Sequence, residues 1–164
     1  MRRPIACLVL LACLVACRAA PRLAPPGAHA APAGGFVVLP ADVAAALYRQ
    51  CSRSSPPPPE GWWQPEAEDL ARFEAALPAA AAAAREGPAL DLSRFATEYH
   101  RQYVGTLRAG RRLIYGNFYQ AGLAAPGRNW RREPTIACDG APSFFGAEYD
   151  VESGTITHLA FNGG

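Results

Sequence analysis

The stretch from Tyr99 to the C-terminus most limits what this chain can become. It consists of short runs rich in aromatic and β-branched residues, separated by glycine, proline and acidic turn residues, the pattern of an antiparallel sheet. "YHRQYVGTLRAGRRLIYGNFYQ" reads as two strands joined around Ala109-Gly110. Aromatics on both faces leave the register of this hairpin open, and Leu92, Phe95 and Tyr99 allow residues 92–103 to be helix or strand. The final hairpin, "FFGAEYDVESGTITHLAFNGG", is more legible. A three-residue loop, Glu152-Ser153-Gly154, puts Gly154 in the left-handed position of a bulged turn. Phe145, Ala147, Tyr149 and Val151 then oppose Phe161, Leu159, Thr157 and Thr155. A two-residue loop would set the same apolar row against Asn162, Ala160, His158 and Ile156. A one-residue slip turns every side chain to the other face, so the apolar match selects the first register. It also places Glu148 opposite His158 on the outer face.

Helical signals precede the sheet. "FVVLPADVAAALYRQCSR" predicts a short strand over Phe36–Leu39, then a helix from about Ala41 with Ala44, Tyr48 and Cys51 on one face beside Leu47, so that Cys51 aims inward. "SSPPPPEGWWQP" is a stiff connector. Its Trp62 and Trp63 are candidates for binding a sugar or a partner surface, or for closing a ring over a core edge. In "PEAEDLARFEAALPAAAAAAREG", Pro65 suits a first turn and Glu66, Glu68 and Asp69 complement the positive end of a helix dipole. Leu70, Phe73 and Leu77 form its apolar stripe. Pro78 denies Glu74 a hydrogen bond and predicts a kink or split, and Gly87-Pro88 ends the helix. The expected fold is α+β, with N-terminal helices packed on one face of a four-stranded antiparallel β-meander, in a single domain over 36–164.

The chain opens "MRRPIACLVLLACLVACRAA", a basic start and an apolar run of about a dozen residues, far short of the roughly 20 needed to span a bilayer. Leu14-Val15-Ala16-Cys17 resembles the lipobox of bacterial lipoprotein signals. The resemblance implies that residues 1–16 are a signal peptide, that Cys17 is diacylglycerol-modified and N-acylated, and that Arg18, in place of an aspartate, directs the protein to the outer membrane. Ordinary cleavage at Ala28-His29-Ala30 and retention as a buried helix are the alternatives. Residues 17–35, rich in alanine and proline, read as a tether. Of five cysteines, Cys7 and Cys13 leave with the signal and Cys17 takes lipid. Cys51 and Cys138 remain, and an even pair in an oxidising compartment reads as a disulfide. The competing role is a Cys138 nucleophile beside Asp139 with His100 or His158.

Charge narrows the partners. All 16 basic residues are arginine; removing Arg2 and Arg3 with the signal leaves fourteen against fourteen acids, so no appetite for nucleic acid is indicated. The charge is nonetheless segregated. Residues 60–98 hold eight acids against three arginines, 99–134 seven arginines against Glu133, and 135–164 four acids and no arginine. Either a basic face, using Arg108, Arg111 and Arg112, meets anionic lipid, lipopolysaccharide or a partner, or the acidic and basic segments neutralise one another across strands. The second reading is preferred.

No phosphate-binding loop, dinucleotide fingerprint, zinc motif or nucleophile elbow occurs, and His29, His100 and His158 are isolated, so neither a metal nor a cofactor is expected. The acid–base candidates are His158, Glu148, His100, Asp139 and Asp150. A Glu148–His158 pair suits general acid–base work, but an exposed cross-strand ion pair explains it as well. "CDGAPSFFGAEYD" followed by "LAFNG" resembles a recurring C-terminal signature of small exported bacterial proteins of uncharacterised function. "YHRQYVG", "GRRLIYGNFY" and "CSR" at Cys51 extend the resemblance over residues 48–164, with Ala141 where the pattern has a second glycine. It implies a small, exported, disulfide-bonded protein and no particular activity. The functional expectation is a lipid-anchored envelope protein acting as a non-enzymatic binding module for an envelope protein or glycan. A small periplasmic hydrolase, or an inhibitor or immunity protein against a secreted hydrolase, stands as the alternative.

Overall fold

The computed structural model describes residues 35–84, 92–123, 127–140 and 143–163. The leader, Cys17, the tether and Gly87-Pro88 lie outside these residues. In chain order the elements are β1 (Gly35–Val38), α1 (Ala41–Ala44), β2 (Gly61–Trp63), α2 (Ala67–Ala83), α3 (Leu92–Glu98), β3 (Tyr99–Arg108), β4 (Arg111–Gln120), β5 (Phe144–Asp150) and β6 (Thr155–Phe161). One turn of 3-10 helix, Ala45–Tyr48, continues α1, and another, Ala121–Leu123, follows β4. The protein is α+β, built on a mixed sheet of six strands.

The sheet is larger than the sequence pattern suggests. β4 pairs antiparallel with β3, β5 with β4 and β6 with β5. Two short strands then share the outer edge of β3. β1 runs parallel to it from Gly35↔His100 to Val38↔Tyr103, and β2 antiparallel from Gly61↔Leu107 to Trp63↔Gly105. Strands of three and four residues carry no periodicity of their own; an existing edge templates them. Between β3 and β4 the turn is two residues, with Ala109 at φ 50° and Gly110 at φ 73°, both left-handed as such a turn requires. The register left open by the sequence is Tyr99↔Gln120 through Arg108↔Arg111. It resists prediction because these central strands are buried on both faces, which erases the two-residue alternation.

Helices cover both faces rather than one. On the first face, Leu70, Phe73 and Leu77 of α2 and Phe95 of α3 pack against Tyr103, Ile114, Phe118, Phe145 and Tyr149. On the second, Ala44 of α1 and Leu47 join Leu39, Val104 and Tyr115. α2 begins where the Asp69 carboxylate accepts the Glu66 N–H at 3.1 Å and runs without a break through Pro78. A proline in a helix interior costs about 3 kcal/mol. Burying Phe73 and Leu77 completely just before it recovers roughly 1.5–3 kcal/mol each, and Ala81 is buried one turn after it, so the expected split does not occur.

Two local expectations are corrected. The early helix stops at Tyr48, so its inward face never reaches Cys51, which is exposed. In the last hairpin the Phe145↔Phe161 and Ala147↔Leu159 pairs form as expected, but a bulge after Glu148 shifts the tip to Tyr149↔Ile156 and Asp150↔Thr155. The Asp150 carboxylate is the cause. It accepts the N–H groups of Glu152 at 2.9 Å and Ser153 at 3.0 Å and so starts the turn at Val151, with Gly154 left-handed at φ 70°.

Candidate functional site

The second face of the sheet carries an uninterrupted chain of polar side chains. Gln102 on β3 is fully buried. Its amide nitrogen donates to the Trp130 and Glu133 carbonyls at 2.6 and 2.7 Å. Its oxygen accepts from the Thr135 N–H at 2.8 Å and the Asn117 amide at 2.9 Å. Asn117 also donates to the Thr135 carbonyl at 3.0 Å, and its oxygen accepts from Arg53 at 2.5 Å. Arg53 donates its other terminal nitrogen to Asn162 at 2.6 Å, and Asn162 donates to the Ala137 and Asp139 carbonyls, both at 3.0 Å. Gly146 makes room for this: a Cβ there would collide with the Tyr115 hydroxyl and lie 2.9 Å from Arg53 Nε.

One loop is the beneficiary. Residues 129–139 are held at the carbonyls of Trp130, Glu133, Thr135, Ala137 and Asp139. The Cys51–Cys138 disulfide, with its Cα atoms 4.9 Å apart and 87 positions separated in sequence, pins them covalently. Within the loop the Asn129 carbonyl accepts the Arg132 and Glu133 N–H groups at 2.9 Å each. Amides and a guanidinium neither gain nor lose a proton near neutrality, so this constellation is built to hold shape rather than to transfer protons.

The acid–base candidates do not converge. The pair Glu148↔His158 forms as a strand register, but Glu148 is buried, not on an outer face, and makes no ion pair with His158 among the described residues. Residues 52–58 cross that face instead, with the Ser54 carbonyl beside His158 and the Pro57 carbonyl accepting from Arg108 at 3.1 Å. Arg108 grips the Glu148 carboxylate with both terminal nitrogens, at 2.5 and 2.8 Å, and the exposed Thr157, brought to this face by the bulge, adds a third bond at 2.8 Å. The carboxylate holds the Arg108 pKa above its ordinary value. The His158 ring nitrogen lies 3.0 Å from the Ser54 carbonyl. His100 stacks on Trp130 at 4.1 Å, and burial, then the charge of Arg131, push its pKa down. It sits four rungs along β3 from Val104, whose rung leads through Tyr115 to Glu148; that separation is about 13 Å. Asp150 organises its turn and pairs with Arg111. Asp139 is exposed, and the Cys138 sulfur beside it is bonded to Cys51, leaving no thiolate to attack with. Among the described residues no group of three or more His, Cys, Asp and Glu gathers as a metal site.

The tryptophans are built into the sheet. Trp63 donates its indole N–H to the Leu113 carbonyl at 3.0 Å under Arg112, and Trp62 meets Tyr48 edge-on at 6.5 Å. Both remain half-buried at a notch of about 200 Å³ with Leu39, Gln64, Val104 and Gly105. A second concavity of similar size lies between Phe36 and α2, floored by Arg101, which is already bound to Glu74 at 2.6 and 2.8 Å.

The arginine block of residues 99–134 divides in two. Arg101, Arg108, Arg111 and Arg112 pair with Glu74, Glu148, Asp150 and Glu152, so the acidic and basic segments do neutralise one another across strands. Arg128, Arg131 and Arg132, on the clamped loop, are exposed and form no ion pair with a described residue. Composition treats all seven alike. The signal that separates them is position, since the last three fall between Gly127 and Pro134, outside any strand that could set a carboxylate opposite them. Compared with known proteins, the chain matches no family model, no curated protein and no solved structure.

Proposed function

We propose that the protein is a lipid-anchored component of a bacterial cell envelope whose domain is a non-enzymatic interaction module. The chain Arg53–Asn117–Gln102, extended through Asn162, carries this reading. Its hydrogen bonds immobilise one surface loop, and a scaffold that fixes a surface is what a binding module needs. Export is supported by the Cys51–Cys138 bridge, which persists in oxidising compartments. Anchoring is supported by the leader and by Leu14-Val15-Ala16-Cys17; no helix among the described residues is long and apolar enough to cross a membrane. The hydrolase reading is weaker, because Glu148 is neutralised by Arg108 and His158 faces a backbone carbonyl. Intact mass of the native product is the test of the anchor: it should begin at Cys17 and carry diacylglycerol plus an N-acyl chain, and an unmodified residue 17 rejects it. The non-enzymatic part is rejected if the purified protein turns over cell-wall or ester substrates and His158→Ala abolishes the turnover.

A further inference from the structure

We infer that the segment Gly127–Glu133, which leads into the clamped loop, is the face by which the domain rests on an anionic bilayer, with Arg128, Arg131 and Arg132 contacting lipid phosphates. The inference rests on the anchored reading above and adds the orientation of the domain and the chemistry of its contact.

Position is the first argument. The loop stands beside Gly35, the first described residue. A Cβ on Gly35 would lie 3.2 Å from the Trp130 ring and 3.6 Å from the Arg131 guanidinium. Everything that precedes Gly35, Cys17 included, therefore joins the domain beside these arginines. Eighteen residues of tether, extended at about 3.1 Å each, hold this end within roughly 55 Å of the lipid. At that range a weak contact acts at an effective concentration near the millimolar scale.

Surface chemistry is the second argument. Among the described residues the large apolar ones left exposed are Phe36, Leu123 and Ile136, at 54%, 49% and 44%. Phe36 follows Gly35, Leu123 follows the end of β4, and Ile136 follows Thr135 in the clamped loop. Ile136 shares the clamped loop with the arginines that lack an ion pair, and Leu123 follows β4 at the same end of the sheet, where β1 and β3 start; Phe36 lies at that end on the α2 face, its ring against Arg101. Cations with scattered apolar side chains suit a headgroup layer. The opposite end, with the Ala109-Gly110 and Val151–Gly154 turns, has its arginines paired to Glu148, Asp150 and Glu152. Arg49 is a fourth exposed arginine without a described ion pair, next to Gln50, whose amide reaches the Thr135 carbonyl at 3.4 Å. Against these stand two exposed carboxylates on the same segment, Glu133 and Asp139. Rigidity is the third argument. Gln102 holds the carbonyls on both sides of Arg131 and Arg132, so the guanidinium forks are presented to phosphate with less ordering cost than on a free loop.

The test uses the native lipidated protein on phosphatidylcholine vesicles with and without phosphatidylglycerol, modified by an arginine-specific dicarbonyl and read residue by residue by mass spectrometry. Arg111 and Arg112, each 51% exposed at the far end, are internal controls. Phosphatidylglycerol should lower modification of Arg128, Arg131 and Arg132 about tenfold and leave Arg111 and Arg112 unchanged, with the protection lost in high salt. Each arginine should contribute about a fivefold gain in affinity for the anionic surface. Replacing all three by Gln should therefore abolish the preference, and replacing them by Lys should keep most of it. Equal modification on both vesicles, or protection spread equally over Arg111 and Arg112, overturns the inference. Failure to float with pure phosphatidylcholine vesicles instead refutes the acyl anchor, and the loop's contact is then read from flotation with the anionic vesicles alone.

Discussion

Arg53 brings a full charge into the interior and meets amide oxygens there. Its planar fork reaches Asn117 and Asn162 at once, 64 and 109 positions away in sequence. A lysine has the charge but not the fork, so Arg53→Lys satisfies at most one of the two amides well. The variant should lose about 1–3 kcal/mol of stability, read as a lower denaturant midpoint with unchanged slope. His100 illustrates the opposite case, a titratable group that folding keeps neutral. Burial and Arg131 depress its folded pKa, while in the unfolded chain it titrates near 6.5. Below about pH 6.5 the unfolded state takes up the proton first, so the contribution of His100 is complete above that pH and is lost as pH falls toward the folded pKa. Unfolding free energies at pH 7.5 and 5.5 should therefore differ less in His100→Phe than in the wild-type protein. An equal pH dependence in the two proteins refutes this account.

At the scale of elements, α2 shows packing overruling a local rule. Pro78 leaves the Glu74 carbonyl without its helical partner, yet the helix continues because Phe73 and Leu77 before the proline and Ala81 after it are buried. Pro78→Ala restores the bond and should raise stability by about 1–3 kcal/mol, seen as an increase in Tm; an unchanged or lower Tm means that the proline's rigidity offsets the lost bond. The final hairpin shows the reverse, a local interaction overruling a pattern. Apolar matching extends to Val151, but the Asp150 carboxylate organises the turn one residue sooner. The resulting bulge then turns Thr157 onto Glu148.

For the whole molecule, the disulfide is a covalent long-range constraint. It closes a loop across 87 positions, worth about 4–5 kcal/mol in the chain-entropy model. Cys51→Ala with Cys138→Ala should lower the unfolding free energy by that order, measured by denaturant titration. A loss below about 1 kcal/mol would show that the buried Gln102–Asn117–Arg53 chain holds the 129–139 loop unaided. The charge distribution belongs to this scale as well. A block with seven arginines becomes two populations once folded, one paired with carboxylates of described residues and one on the loop beside Gly35.

The amino-acid sequence by itself determined the α+β class, the turns at Ala109-Gly110 and Gly154, the stripe of α2 and the partner of Cys51. Each depends on neighbours along the chain, or, for Cys51, on the expectation that Cys7, Cys13 and Cys17 are otherwise committed. Tertiary structure alone decided that β1 and β2 extend the sheet, that Glu148 is buried on the face that residues 52–58 cross, and which arginines remain unpaired. Those outcomes depend on which segments lie opposite one another across β3, β4 and β5. Pairing between distant segments leaves no periodic trace in either of them.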